Sequence, residues 1–224
     1  MSTKLPAVLQ IDIVSDVVCP WCYIGKRQLE AALARWQADN PGVEAPIQRW
    51  RPFQLNPEMP AAGMPRSAYL QQKFGSPDGG TMYDRVTTAA RRVDLDLRIA
   101  AIRTQPNTLK AHALIELASE TGQQDAMAEA FFHAYFIESR DLSDDQVLRE
   151  IAEGIGIAPG LIEAVLTEES VTRIVAAADA EAREYGVTGV PMFIIGNGAG
   201  GHVAVSGAQG ADALLAAMQQ VQAA

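Results

Sequence analysis

The sequence predicts an α/β fold in which a block of helices is inserted into a core of strands and helices. Strand and helix patterns alternate near the start, helical periodicity dominates from about residue 65 to 168, and strand patterns return near residue 191. We therefore expect a core formed by residues 1–60 and 168–224 and an all-helical insertion formed by residues 61–167.

The first fifty residues have the pattern strand, helix, strand. Residues 8–15 are rich in β-branched side chains that partly alternate with polar ones, which indicates a strand. Pro20 suits the first turn of a helix, and apolar residues recur at helical spacing as far as Gln37. A second strand is predicted over Ile47–Phe53. The motif Cys19-Pro20-Trp21-Cys22 thus lies where the first strand gives way to the first helix.

The middle of the chain is predicted to be helical. Residues 57–78 are rich in proline and glycine and read mostly as loop. After them, four or five helices and no strand are predicted up to residue 168. One helix begins with Asn107 as its N-cap and ends near Gly122, and another has capping-box spacing at Ser143–Gln146.

The end of the chain returns to strands. A helix over residues 169–185 is closed by Gly186, and short apolar strands over 191–195 and 202–206 form a predicted hairpin. A last amphipathic helix covers 211–221. Without the helical block, this order of elements is that of a thioredoxin-like core.

Composition and charge exclude several function classes. The formal net charge is −9, so the chain has no field that would attract a nucleic acid or an anionic membrane surface. No segment approaches the roughly 20 apolar residues of a membrane span. The apolar stretch near the start is interrupted by Gln10 and Asp12, which is unlike a secretory leader. We therefore expect a cytoplasmic protein, with its oligomeric state left open.

The only two cysteines of the chain, Cys19 and Cys22, are three residues apart. Residues at this spacing share one face of a helix, close enough for a disulfide after a small backbone adjustment. Because a helix N-terminus favours the thiolate, we assign Cys19 as the more exposed, attacking thiol and Cys22 as the resolving thiol. Zinc binding would need two more ligands, and the three histidines show no paired spacing, so no metal is expected.

Other candidate residues are weaker. Asp16 is interpreted either as a proton relay for the exchange or as a turn-capping carboxylate. His112 is expected to be a structural or a catalytic histidine between core and insertion. Asn107 is expected to be a helix cap or a substrate contact. Trp21 is expected to be exposed and to contact a polypeptide substrate, and Val190-Pro191 contains an X-Pro bond that can be cis.

Several segments together resemble the DsbA-like branch of the thioredoxin superfamily, and within it the FrnE-like group of protein disulfide oxidoreductases and isomerases. They are Ser15–Gly25 with the Cys-Pro-Trp-Cys motif, Arg51–Pro57, Asn107-Thr108 with Ala111-His112, Ala130–Phe136, and Gly186–Pro191. These segments span nearly the whole chain. Some relatives carry a second cysteine pair, which this chain lacks.

The resemblance implies a redox-active Cys19–Cys22 disulfide that exchanges with disulfide-containing polypeptides or small thiols, without a further cofactor. It also implies that Val190-Pro191 is cis, faces Cys19 and pairs with an extended substrate segment.

Two alternatives differ in kind from this one. The glutathione-dependent 2-hydroxychromene-2-carboxylate isomerases and kappa-class glutathione transferases resemble the same fold with its insertion. They commonly have serine at the active position and no resolving cysteine, so the pair here argues against that activity, although glutathione stays a candidate co-substrate. A chaperone-like binding protein without enzymatic activity is the third hypothesis.

Overall fold

A computed structural model describes residues 8–198 and 200–223. Residues 1–7, which belong to the predicted core and bear on the expectation about a leader, lie outside the described residues. The same holds for Ala199 in the predicted hairpin turn and for Ala224.

Six strands are described: β1 (Gln10–Ser15), β2 (Ile47–Pro52), β3 (Met64–Pro65), β4 (Thr104–Gln105), β5 (Met192–Gly196) and β6 (His202–Ser206). Four of them form one sheet in the order β2-β1-β5-β6. β1 is parallel to β2 and antiparallel to β5, and β5 is antiparallel to β6. The two ends of the chain therefore build one sheet, as the element order predicts.

The described residues contain nine α-helices: α1 (Pro20–Asp39), α2 (Arg66–Phe74), α3 (Met82–Arg91), α4 (Leu109–Leu117), α5 (Gln124–Phe136), α6 (Asp145–Ile155), α7 (Pro159–Thr167), α8 (Glu169–Glu184) and α9 (Ala211–Gln222). Among these residues, no helix has the length and apolarity needed to cross a membrane.

The sheet is covered on both faces because its strands alternate. Ile11, Ile13 and Phe193 point into the large core that also contains the buried residues of α1 and α9. Val14, one of the residues that point the other way, packs with Ile194 in a smaller cluster that includes Ala182 of α8. Since β1 is buried on both faces, the loop that follows it begins in the interior of the molecule.

The helical block differs from the prediction in three respects. It contains six α-helices, α2 to α7, where four or five were expected, and a two-stranded ladder of β3 with β4 where no strand was expected. Helix α2 lies inside the stretch that was predicted to be loop. Its only buried residues are Arg66 and Leu70, so its apolar periodicity is too weak to stand out against the surrounding prolines.

Two predicted caps are shifted by one residue. Thr108 holds the N-cap position of α4, although the Asn107 side chain still accepts the N–H of Leu109 at 2.9 Å. At α6 the N-cap is Asp144, which accepts the N–H of Gln146 at 2.8 Å, in place of the expected Ser143. Both helices are thus capped by side chains from the predicted segments, as unpaired N–H groups at a helix start require.

Candidate active site

Cys19 lies at the junction of β1 and α1. It occupies the N-cap position with extended backbone angles (φ −92°, ψ 112°), and Pro20 follows in the first turn. The carbonyl oxygen of Cys19 accepts the N–H of Cys22 at 3.0 Å, which places Cys22 one turn further along α1. Both side chains are free thiols in the structure. The helix dipole favours an anion at this end of α1.

Both cysteines are buried. Cys19 is 4% exposed and Cys22 is 1% exposed, so Cys19 is slightly the more exposed of the two, although both thiols are covered. The reason is a segment that is distant in sequence: Val190 packs against the core that contains both cysteines. A substrate must therefore displace part of this cover or enter beside it to reach Cys19.

The Val190–Pro191 segment contacts the thiol of Cys19. The peptide bond between Val190 and Pro191 is cis. The Sγ atom of Cys19 donates a hydrogen bond to the carbonyl oxygen of Val190 at 3.7 Å, across 171 positions of the chain. The carbonyl oxygen of Pro191 accepts the N–H of Gly207 at 2.8 Å, which ties this segment to the end of β6.

Gly25 is a positioning residue that sequence reasoning did not single out. A Cβ atom at this position of α1 would lie 3.1 Å from the Cζ of Phe193 and 3.1 Å from the Cγ of Pro191. The absent side chain therefore allows α1 to approach Pro191 closely. A glycine inside a helix lowers helix stability, so its presence three residues after Cys22 was the available signal.

Replacement of Gly25 by alanine is expected to displace Pro191 by a few tenths of an ångström and to lower the rate of thiol–disulfide exchange roughly 10-fold, because small misplacements near reacting atoms are costly. The matched control is Gly154→Ala, since Gly154 is an exposed glycine of α6 with no atom near its would-be Cβ. The prediction is checked by measuring the thiol–disulfide exchange rates of both purified variants. Equal rates for Gly25→Ala and Gly154→Ala would contradict the positioning role of Gly25.

The thiol of Cys22 is held in its protonated form. Burial raises the pKa of Cys22 well above its ordinary value, and the adjacent Cys19 raises it further. At neutral pH, Cys22 therefore has to lose a proton before it can attack a sulfur atom. Any mechanism that uses both cysteines needs a proton acceptor for Cys22.

The raised pKa of Cys22 predicts a fall in stability at alkaline pH. Cys22 ionises in the unfolded chain near pH 8.5 but stays protonated in the folded protein, so the unfolded state binds fewer protons above that pH. The free energy of unfolding should then drop by about 1 kcal/mol at about pH 9.5. Urea unfolding of the reduced protein at neutral and alkaline pH measures this loss in the free energy of unfolding. Cys22→Ser should lack it, and the same drop in both proteins would refute the assignment.

Asp16 and His112 form a buried polar pair next to the cysteine loop. Asp16 is 1% exposed and His112 is 4% exposed. The Oδ2 atom of Asp16 accepts the N–H of Leu55 at 2.7 Å, which ties the cysteine loop to the segment after β2. Its Oδ1 atom lies 3.4 Å from the Nε2 atom of His112. Neither of these last two atoms has a hydrogen-bond partner within the described part of the chain, and neither has the hydroxyl of Ser15.

A cavity of about 10 Å³, lined among others by Ser15 and His112, adjoins this pair. That is close to the smallest volume that holds one water molecule. Ser15, Asp16 and His112 thus form a compact polar cluster in an otherwise apolar interior.

The two remaining candidates have different surroundings. The side chain of Asn107 makes hydrogen bonds within the protein. Its Nδ2 atom donates to the carbonyl oxygen of Met59 at 2.6 Å, and its Oδ1 atom accepts the N–H of Leu109. Trp21 is half-buried, which corrects the expectation that it is exposed. It borders a groove of about 660 Å³ that is also lined by Gln28, Arg85 of α3 and Gln209. The described residues contain no group of three His, Cys, Asp or Glu side chains arranged to hold a metal ion.

Comparisons with known proteins identify related sequences and folds. The solved structure of the "probable DsbA oxidoreductase" of Streptomyces coelicolor is 31% identical, with a TM-score of 0.82 over 96% of this chain and 90% of that chain. A 2-hydroxychromene-2-carboxylate isomerase is 16% identical, with a TM-score of 0.68 over 94% of this chain and 95% of that chain. The cytosolic disulfide reductase DsbM of Pseudomonas aeruginosa, solved with GSH, is 17% identical, with a TM-score of 0.63 over 96% of both chains.

The last two likenesses concern the fold alone. They agree with the predicted α/β class, a thioredoxin-like core with a helical insertion, which is thereby confirmed. The family of DSBA-like thioredoxin domains matches residues 10–219, which is most of the sequence. The strand-to-helix cysteine motif, the sheet order and this match lead to one conclusion: the chain belongs to the DSBA-like thioredoxin domain family.

Proposed function

We propose that the protein is a thiol–disulfide oxidoreductase in which Cys19 attacks and Cys22 resolves. The observation that carries the proposal is the position of the Cys19 thiol at the N-terminus of α1, in contact with the Val190 carbonyl group and one helical turn from Cys22. The cysteine pair is itself the redox group, so the proposed cycle uses no metal or additional cofactor.

The cycle has two exchange steps. The thiolate of Cys19 attacks one sulfur of a substrate disulfide, which forms a mixed disulfide and releases the other substrate sulfur as a thiolate. The thiolate of Cys22 then attacks the Sγ atom of Cys19 and releases the second substrate thiolate. The substrate is reduced by two electrons, and the protein is left with a Cys19–Cys22 disulfide. Reversal of these steps oxidises a dithiol, and release after the first step rearranges disulfides, which is isomerase activity.

We propose that the polar cluster of Ser15, Asp16 and His112 accepts the proton that the Cys22 thiol loses. Asp16 and His112 are the buried ionisable pair at the base of the cysteine loop, and the N–H of Cys19 donates to the Asp16 carbonyl oxygen at 2.9 Å. A water in the adjoining cavity would connect this pair with Ser15. Asp16 and His112 are thus proposed to accept the proton that Cys22 loses in the second step.

Asp16→Asn tests this assignment, because an asparagine oxygen can still accept the N–H of Leu55. The expected result is a resolving step about 10²-fold slower, with an altered pH dependence, since general-base catalysis is removed. Single-turnover release of a substrate thiol across a pH series measures both quantities. Asp12→Asn is the control, because Asp12 pairs with Arg51 and is not among the buried residues. A less stable Asp16 variant with the wild-type pH profile would show that the role is only structural.

Substrate contacts are proposed at two places. The backbone at Val190 would pair with an extended substrate segment, once that segment replaces the contact of Val190 with Cys19. The groove beside Trp21 would take the flanking side chains. We also propose that the insertion spans residues 61–167, so that α3 forms one wall of this groove.

Glutathione is proposed as a co-substrate, and the cytoplasm as the site of action. Support comes from the fold shared with DsbM, whose structure contains GSH and which is a cytosolic disulfide reductase. The fold shared with a 2-hydroxychromene-2-carboxylate isomerase keeps a glutathione-dependent transferase or isomerase as the second candidate function. Cys22 favours the first candidate, because glutathione chemistry on a small electrophile has no use for a resolving thiol.

The deciding experiment equilibrates the protein with glutathione redox buffers, followed by thiol trapping and mass measurement. We expect one two-electron transition between the dithiol and the Cys19–Cys22 disulfide. Its midpoint gives the direction of exchange in the cell. A stable glutathione adduct on Cys19 without the internal disulfide would overturn the proposal in favour of the transferase.

A further inference from the structure

A second pocket lies among the helices of the insertion, between α2, α3 and the segment before β4. Its volume is about 430 Å³, and apolar residues form much of its wall. They are Leu70, Pro77, Leu97, Ile99, Ala100 and Ile102. The wall also contains Arg66, the first residue of α2, which is only 5% exposed. A charged group in such a place is costly unless something compensates its charge.

The partners of the Arg66 guanidinium are all neutral. Its Nη1 atom donates to the Oε1 atom of Gln105 and, at 2.9 Å, to the hydroxyl of Tyr135. Its Nη2 atom donates to the hydroxyl of Tyr83. Its Nε atom is buried and has no partner anywhere in residues 8–198 or 200–223. The guanidinium is therefore held firmly in place but lacks a counter-charge.

Two carboxylates of this region are not bonded to Arg66. Asp78 lines the same pocket, but it is exposed, and its Oδ1 atom accepts the hydroxyl of Ser76 and the N–H of Gly80. Asp16 acts electrostatically on Tyr135, but its oxygens face Leu55 and His112. Neither is bonded to the guanidinium, so a negative charge at the Nε edge would have to come from outside the chain.

The unused donors of the pocket specify the group that would bind there. The Nε–H of Arg66 is one donor, and because its nitrogen is buried the pocket wall must shift for a bound oxygen to reach it. The hydroxyl of Tyr83 is the other, because its oxygen already accepts from Arg66 while its hydrogen has no acceptor among the described residues. Two donors and a single positive charge match the two oxygens of a carboxylate. Arg103, exposed at the rim, adds a second positive charge that attracts anions.

We propose that this pocket binds small molecules in which a carboxylate is attached to an apolar body. The carboxylate would bind Arg66 and Tyr83, and the apolar body would lie against Leu70 and Ile102. The two cysteines do not line this pocket, although Cys19 acts electrostatically on Tyr83, and the proposal does not depend on the proposed redox function.

Hexanoate is the probe, and hexanamide is its neutral counterpart of the same shape. Titrations of the full chain, followed by the ¹⁵N–¹H signals that include the Nε–H of Arg66, give both affinities. We expect hexanoate to bind at least about 10-fold more tightly than hexanamide and to shift the Arg66 signal, because a charge-assisted pair with a guanidinium is lost in the amide. Equal affinities, or no binding of hexanoate, would overturn the proposal.

Variants locate the binding site. Tyr83→Phe removes one hydroxyl and should weaken hexanoate binding about 3- to 10-fold, as expected for one hydrogen bond. Arg66→Gln should weaken it further. If Arg66→Gln does not fold, Tyr83→Phe still tests the proposal. An unchanged affinity of Tyr83→Phe for hexanoate would contradict binding in this pocket. Arg91→Gln on the same helix α3 is the matched control, since Arg91 does not line the pocket and should leave affinity unchanged. The double variant Cys19→Ser, Cys22→Ser should bind hexanoate normally, which separates this site from the redox proposal.

Discussion

Cys22→Ser is expected to turn a catalyst into a trap that stops at the mixed disulfide. In this variant Cys19 can still attack a substrate disulfide, but no internal thiol is present to release the product. Intramolecular attack has an effective concentration far above that of any dissolved thiol. Steady-state turnover with a disulfide substrate should therefore fall by on the order of 10³-fold, while the covalent adduct accumulates to one per chain.

Cys19→Ser is the matched control, because it should neither turn over nor form an adduct. Turnover assays combined with intact mass measurement distinguish the three proteins. If Cys22→Ser keeps wild-type turnover with glutathione and a small electrophile, the resolving role is refuted. The glutathione-dependent transferase then becomes the better description.

Of the substitutions proposed for this protein, Phe132→Ala is expected to lower the free energy of unfolding most. Phe132 of α5 is fully buried, stacks on Tyr23 of α1 at a centroid distance of 5.0 Å and packs beside Trp50 of β2 at 5.9 Å. It thus joins the insertion to α1, which begins at the cysteine motif, and to β2, which pairs with β1. Removal of a buried phenylalanine ring costs about 3–5 kcal/mol, a large part of the roughly 5–15 kcal/mol that stabilises a typical domain.

The control is Phe74→Ala at the end of α2, where the ring is 41% exposed. A surface substitution of this kind should change stability by about 0.5 kcal/mol or less. Urea unfolding monitored by tryptophan fluorescence compares both variants with the wild type. A similar small effect in both would contradict the view that the insertion and the core fold as one packed unit.

The pattern of the sequence was sufficient to place the elements that hold the site. The β-branched residues of β1, the proline after Cys19 and the helical periodicity of α1 predict a strand, a tight junction and a helix, because each depends on neighbours along the chain. Helix α2 escaped prediction because it buries few side chains, and a short amphipathic segment among prolines has a weak periodic signal.

The burial of the cysteine thiols could not be predicted in the same way. Cys19 was expected to be more exposed than Cys22 because it precedes the helix. The two differ only as 4% against 1%, because Cys19 is covered by Val190, which is 171 residues away in the sequence. The close approach of Gly25 to Pro191 is likewise a contact between distant segments. Local patterns do not contain such contacts, since they arise only when the sheet brings β5 next to β1.

The sequence by itself determined the class of the fold, the order of its elements and the cysteine pair at the first strand-to-helix junction. The tertiary structure alone decided that both thiols are buried, that Val190 faces Cys19, and that Asp16 meets His112. It also decided that Arg66 lies in an apolar pocket without a carboxylate partner. The physical reason is that secondary structure follows from local periodicity and backbone preferences. Burial, charge compensation and pKa values depend on groups that folding brings together from far apart in the chain.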